Sequence, residues 1–227
     1  MKTKNLHGWD LSYSRAREVQ ASLAGQVQFV QLRENPKVVA GIDCAFSKDG
    51  EKILAAVVVL RLPDFEVVEM TSAVRKVTFP YIPGLLSFRE APVCIAAVGK
   101  LKSRPDVFII DGQGIAHPRR LGLAAHLGLF FGKPTIGCAK SRLTGDYEEP
   151  PPEKGAYTSL TVQSERIGAV LRTRTGVKPV FVSVGHKCVL EDAVRIVLEC
   201  AVKYRLPEPT RLAHQTVSKL KLQVQSR

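Results

Sequence analysis

The sequence contains no paired Cys-x-x-Cys motif, no apolar run long enough to cross a bilayer, no low-complexity basic arm and no internal repeat. Its five cysteines, Cys44, Cys94, Cys138, Cys188 and Cys200, are odd in number and stand singly, mostly among apolar neighbours. That pattern argues against a disulfide framework and for thiols that act as small hydrophobes in a reduced interior. His186-Lys187-Cys188 offers two metal-binding side chains without a second pair, which argues against a zinc site. The longest aliphatic run, Leu54 through Leu60, falls far short of the roughly twenty residues that span a membrane. After Met1-Lys2-Thr3-Lys4-Asn5, polar residues from His7 to Asp10 stand where a secretion signal carries its apolar core. These absences lead to the expectation of a soluble, cytoplasmic protein with no membrane partner.

What the chain does have is positive charge. Among 227 residues, 33 Lys and Arg face 21 Asp and Glu, a formal net charge of +12. A surplus of that size points to a polyanionic partner, nucleic acid first among them. The clusters Arg119-Arg120, Arg172-Thr173-Arg174 and Lys219-Leu220-Lys221 fall on separate elements, so any basic face must be assembled by the fold. Hydrophobic content of 45% is ordinary for a globular protein and supplies a sizeable core.

Ala16, Val19, Leu23 and Ala24 have helical spacing, and three β-type runs follow at Lys37 to Phe46, Lys52 to Leu60 and Glu66 to Lys76. Asp49-Gly50 and Leu62-Pro63-Asp64 punctuate them, which predicts an antiparallel meander. The pattern then alternates: helix Leu85 to Lys102, strand Val107 to Ile110, helix Arg119 to Phe131, strand Thr135 to Ala139. Alternation of this kind predicts parallel strands with crossover helices. Asp146 to Gly155 reads as an exposed loop, and Tyr157 to Val162 with Arg166 to Arg172 as a hairpin turning at Gln163-Ser164-Glu165. A strand at Pro179 to Val184 and a helix at Glu191 to Tyr204 come next. Thr210 reads as the N-cap of a last helix with the apolar stripe Ala213, Val217, Leu220 and Val224; His214 lies beside that stripe. The expectation is one α/β domain over residues 1–227.

Phe79-Pro80-Tyr81-Ile82-Pro83-Gly84-Leu85-Leu86-Ser87-Phe88-Arg89-Glu90 is the segment that core packing alone does not ask for. Two prolines hold Tyr81 and Ile82 in a stiff extended turn, Gly84 permits positive φ or close backbone approach, and Glu90 falls in the first turns of the following helix. Asp43 interrupts the apolar run from Val38 to Phe46, so its carboxylate must be solvated, hydrogen-bonded or held by a cation. Asp111 ends the strand Val107 to Ile110, where parallel α/β sheets gather functional groups, although Asp-Gly there is also ordinary turn chemistry. A meander feeding a parallel strand can set Asp43 beside Asp111. Two carboxylates that close raise each other's pKa unless a cation separates them, and oxygen-only ligation favours Mg²⁺ or Mn²⁺ over zinc. Glu90 is a candidate third acid. His214 is a candidate to orient a water or to contact a phosphate. Read singly, each of the two also fits a bland role, Glu90 as a solvated helix residue and His214 as a satisfied histidine.

These residues resemble the endonuclease V family, whose members cut near deaminated bases, chiefly inosine. The resemblance runs in order through Val39-Ala40-Gly41-Ile42-Asp43, the Phe79 to Glu90 segment, Pro105-Asp106-Val107, and Asp111-Gly112-Gln113-Gly114. It continues through Ala116-His117-Pro118-Arg119-Arg120-Leu121-Gly122, Pro134-Thr135-Ile136-Gly137-Cys138-Ala139-Lys140-Ser141 and Pro207-Glu208-Pro209-Thr210-Arg211. It implies a ribonuclease H-like mixed sheet, an antiparallel meander followed by parallel strands, flanked by helices. It further implies Asp43 and Asp111 as metal ligands for Mg²⁺, with Mn²⁺ as a substitute, Glu90 as the third acid and His214 as an outer participant. Tyr81 would be a wedge filling the gap left by an extruded base. Gly84, Leu86, Gly112, Leu123 and Gly137 would line the base pocket, and Lys140 would approach the phosphate backbone. Cys44-Ala45 departs from the family's usual aliphatic-Ser pair. The implied partner is damaged DNA containing deoxyinosine, cut by a monomer at the second phosphodiester on the 3′ side. Inosine in single-stranded RNA remains a second substrate, and a non-catalytic nucleic-acid-binding module a different class of reading.

Overall fold

The computed structural model describes residues 1–225 of the chain. Among these, eight strands form one sheet in the order β3-β2-β1-β4-β5-β8-β7-β6. The meander is present as β1 (Val38–Phe46), β2 (Lys52–Arg61) and β3 (Glu66–Lys76), paired antiparallel. β4 (Val107–Ile110) then runs parallel to β1, and β5 (Thr135–Ala139) parallel to β4. β6 (Tyr157–Val162), β7 (Glu165–Leu171) and β8 (Val180–His186) complete the sheet antiparallel, with β8 against β5. β1, β2, β4, β5 and β8 are nearly continuous apolar runs because both faces of the sheet are covered, and two-sided burial removes the need for alternation.

One face packs under α2 (Leu86–Gly99) and α3 (Leu123–Phe131), where Ala40, Ile42, Val57, Phe108 and Ile110 meet Ala91, Cys94, Val98 and Leu127. The opposite face carries α4 (Leu190–Cys200) over Ile109, Ile136, Val182 and Val184, and α5 (Glu208–Gln225), whose Val217 packs on Leu54 and Ala56. α5 comes so close to β1 that a Cβ on Gly41 would lie 2.0 Å from the Pro209 carbonyl carbon. α1 (Tyr13–Ala24) begins at Ser12, whose Oγ accepts from the Arg15 N–H at 3.3 Å, and buries Ala16 and Leu23 as its spacing requires.

Several boundaries differ from the sequence-based expectations. α3 starts at Leu123 rather than Arg119 because the intervening residues make a turn: Arg120 has φ 55°, and extended Gly122 is pressed so closely on the Gln113 carbonyl that a Cβ would lie 2.4 Å from it. α2 stops at Gly99, and α4 stops at Cys200, where Ala201 leaves helical geometry with ψ 80°. Thr210 is not an N-cap: α5 begins two residues earlier, and the buried Thr210 hydroxyl donates to the Pro207 carbonyl at 3.0 Å. β1, which carries Asp43, lies inside the sheet between β2 and β4.

Candidate active site

The β1–β4 register makes the centre of the site. Ile42 pairs with Ile110 in the parallel ladder, and the Asp111 N–H donates to the Ile42 carbonyl at 3.0 Å, so the next residue on each strand, Asp43 and Asp111, stand side by side. His214 reaches them from the second turn of α5, its Nδ1 2.7 Å from Asp43 Oδ2. The candidate ligand atoms of Asp43, Asp111 and His214 all lie within 4.8 Å of one another. Asp43 is only 8% exposed, and its Oδ1 accepts from the Cys44 N–H at 2.8 Å. Burial and the neighbouring Asp111 charge push its carboxyl above the ordinary range, while the His214 and Cys44 hydrogen bonds pull the other way.

Glu90 approaches from the opposite side of the sheet, in the second turn of α2. It does not belong to that close ligand group, yet burial followed by the charges of Asp43 and Asp111 raises its pKa to about 8. Three carboxyl groups converge here, and burial and neighbouring charge disfavour ionisation of Asp43 and Glu90; such a cluster suits a divalent cation, and an oxygen-rich donor set suits Mg²⁺ or Mn²⁺. Lys140, at the end of β5, forms an ion pair with Asp111 Oδ2. Its ammonium therefore already serves the acid cluster from the strand beside it.

A cleft of about 410 Å³ opens from Glu90 and Asp111 toward Tyr81, within the size range of small-ligand sites. Gly84, Leu86, Gly112 and Leu123 line it, as does Lys140. Tyr81 stands at its rim, 68% exposed on the two-proline turn. Gly137 is placed differently from the expectation that it lines the pocket. It lies beneath the cleft, where a Cβ would come within 2.4 Å of the Gly114 nitrogen and 2.7 Å of the Gly112 carbonyl oxygen. Its lack of a side chain lets the loop after Asp111 settle onto β5.

The structure adds residues that motif reading did not single out. Gly84 has φ 77°, in the left-handed region, and its carbonyl accepts from Gln20 Nε2 at 2.9 Å and Arg119 Nη2 at 2.7 Å. Gln20 also binds the Leu121 carbonyl at 2.9 Å and accepts from Arg119 Nε, so one buried amide ties the Tyr81 turn to the opposite wall. The signal was there in the sequence: Gln20 sits on the Ala16–Leu23 face of α1, where an apolar residue is expected. His117 and Gln113 also line the cleft. Burial and nearby Arg119 lower His117 to about 4, which keeps it neutral at neutral pH.

Carboxylates presented by adjacent parallel strands of a mixed, ribonuclease H-like sheet define the class of acid-cluster nucleases. The particular family follows from comparison. The Endonuclease V family model matches residues 5–215, and the chain belongs to that family. Endonuclease V of Dehalococcoides mccartyi is 49% identical over 97% of this chain and 99% of its own length. The crystal structure of endonuclease V from Streptomyces avermitilis superposes with a TM-score of 0.91 at 42% identity, covering 96% of each chain. That of the Ciona intestinalis enzyme, in complex with DNA containing an inosine followed by a ribo-adenosine, superposes at 0.81 with 30% identity, covering 93% of this chain and 98% of that one. The protein is therefore an endonuclease with a nucleic-acid substrate. No helix among the described residues is long and apolar enough to cross a membrane.

Proposed function

We propose that this chain acts as a single-domain, monomeric, cytoplasmic DNA repair enzyme that recognises deoxyinosine and hydrolyses the second phosphodiester bond 3′ to it, leaving 3′-hydroxyl and 5′-phosphate ends. The observation that carries this reading is the continuity of one cleft from Tyr81 to Glu90 and Asp111, so a base held in the cleft would leave its strand beside the acids. A base inside a duplex hides its Watson–Crick edge, and extrusion costs a few kcal/mol, less at a mispair. Tyr81, rigid between Pro80 and Pro83, fits a wedge that offsets part of that cost. Gly84, Leu86, Gly112 and Leu123 bring the backbone to the base edge, and Gly137 supports them from below. Asp43 and Asp111 would hold Mg²⁺ or Mn²⁺, with Glu90 as the third acid. His214, through Asp43, would keep that carboxylate oriented. The cation would lower the pKa of the attacking water and neutralise charge at the leaving oxygen. Lys140 would move between Asp111 and a backbone phosphate.

The alternative of inosine in single-stranded RNA draws support from the ribo-adenosine beside the inosine in the Ciona intestinalis complex. One assay tests both: end-labelled duplex DNA with and without one deoxyinosine, and the inosine-containing RNA, each incubated with Mg²⁺. Product length reports substrate and cut position together. Asp43→Asn and Asp111→Asn are each expected to abolish nicking while retaining most lesion binding. Unaltered nicking in both would overturn the assignment and favour a non-catalytic binding module.

A further inference from the structure

Ser87 lines the cleft between Leu86 and Glu90, is 3% exposed, and begins a chain of polar contacts that runs away from the cleft into the protein. Its Oγ lies 3.1 Å from Nδ1 of fully buried His126. His126 Nε2 lies 2.8 Å from His7 Nε2, and His7 Nδ1 lies 2.7 Å from the Gly8 carbonyl oxygen. Trp9, Phe88 and Phe130 pack around the two imidazoles. Burial lowers the pKa of His7 and brings His126 down to about 3, so each ring is neutral at neutral pH and carries one N–H.

The far end of this chain sets its direction. A carbonyl oxygen only accepts, so His7 Nδ1 must carry the proton and His7 Nε2 must be bare. His126 Nε2 therefore donates, His126 Nδ1 is bare, and the Ser87 hydroxyl must give its proton to it. A serine hydroxyl ordinarily both donates and accepts. Here the donor half is spent inward.

The geometry points to Ser87 as an acceptor-only reader in the cleft, offering lone pairs that select a base with a ring N–H over one with a bare ring nitrogen. That feature is what deamination creates. Converting an amidine to a lactam turns adenine N1, an acceptor, into hypoxanthine N1–H, a donor, and makes the same change at N3 when cytosine becomes uracil. An acceptor held in one sense thus distinguishes deaminated products from adenine and cytosine as a class. His126 and His7 are positioning residues, since they act through Ser87. The inference rests on the base-extruding reading proposed above.

The test compares wild type, Ser87→Ala and His7→Phe on duplexes carrying one deoxyinosine or one deoxynebularine, the purine nucleoside without O6 or the N1 proton. Nicking with Mg²⁺ and gel-shift binding in EDTA are both measured, with thermal melting to confirm folding. Ser87→Ala is expected to slow inosine cleavage roughly tenfold, the scale of one lost hydrogen bond, and to leave nebularine unchanged or faster. His7→Phe, distant from the cleft, is expected to narrow the inosine-to-nebularine ratio in the same direction. Equal losses on both substrates in Ser87→Ala would overturn the proposal in favour of a purely structural hydroxyl, and so would an unchanged ratio. A wild type that leaves inosine strands uncut would sink the functional reading instead, and the binding ratio in EDTA would still decide the part assigned to Ser87.

Discussion

Glu90 is the residue whose environment makes the sharpest quantitative prediction. Its carboxyl is ordinary at 4.5 and is raised to about 8 by burial and by the charges of Asp43 and Asp111. Between those two pH values the folded chain keeps a proton that the unfolded chain has released. Stability of the metal-free protein must therefore fall as pH rises, by about 1.4 kcal/mol per pH unit, and level off above the higher value. Glu90→Gln keeps the shape and removes the titration. In EDTA, its advantage over wild type in urea unfolding is expected to grow from about 1 kcal/mol near pH 5.5 to about 4 kcal/mol near pH 7.5. Asp43, raised by burial and by the Asp111 charge, adds a pH dependence of its own in both proteins, which is why the difference between them is the quantity to read. Saturating Mg²⁺ should flatten that difference, because the cation replaces the proton as the counter-charge. A variant whose advantage stays constant across this pH range would refute the idea that Glu90 is held protonated by its neighbours.

Other expectations are equally direct. Tyr81→Ala should reduce the preference for inosine-containing over undamaged duplex by about tenfold or more while leaving Mg²⁺ affinity unchanged, measured by competitive nicking and by metal titration of the free protein; equal preference in variant and wild type would remove the wedge. Gly137→Ala places a Cβ 2.4 Å from the Gly114 backbone nitrogen, so the loop after Asp111 must shift. We expect a loss of about 2 kcal/mol in urea unfolding, together with lowered nicking. The net charge of +12 predicts a steep linear fall of log affinity for duplex DNA with log salt concentration, and a flat response in a gel-shift series would remove the electrostatic argument.

Much of the architecture was legible from local pattern. Apolar runs of strand length separated by Asp49-Gly50 and Leu62-Pro63 could only be short strands close in sequence, and the later switch to helix-strand alternation required crossovers. The positions of Asp43 and Asp111 were readable for a related reason: a carboxylate at the end or in the midst of an apolar run is anomalous, and anomalies survive without coordinates, whereas Glu90 stood out only by its place after the two-proline turn and by the family resemblance. The start of α3 was not readable, because helical composition extends back to Arg119 while the tight packing of Gly122 on Gln113 ends the helix at Leu123.

Sequence by itself thus determined the mixed α/β class, the positive charge and the stiff two-proline turn, since all of these follow from residue type and short-range spacing, and it offered Asp43, Glu90 and Asp111 as candidate acids. Only the tertiary structure decided which acids meet and at what cost. The register of Ile42 on Ile110 places Asp43 beside Asp111, and α2 lays Glu90 across from the other side of the sheet. The same holds for the Gln20 and Arg119 contacts on Gly84 and for the His7–His126–Ser87 chain, whose members lie far apart in sequence. Hydrogen bonds and charge coupling depend on separations of a few ångströms, and separations that small between distant residues exist only once the chain has folded.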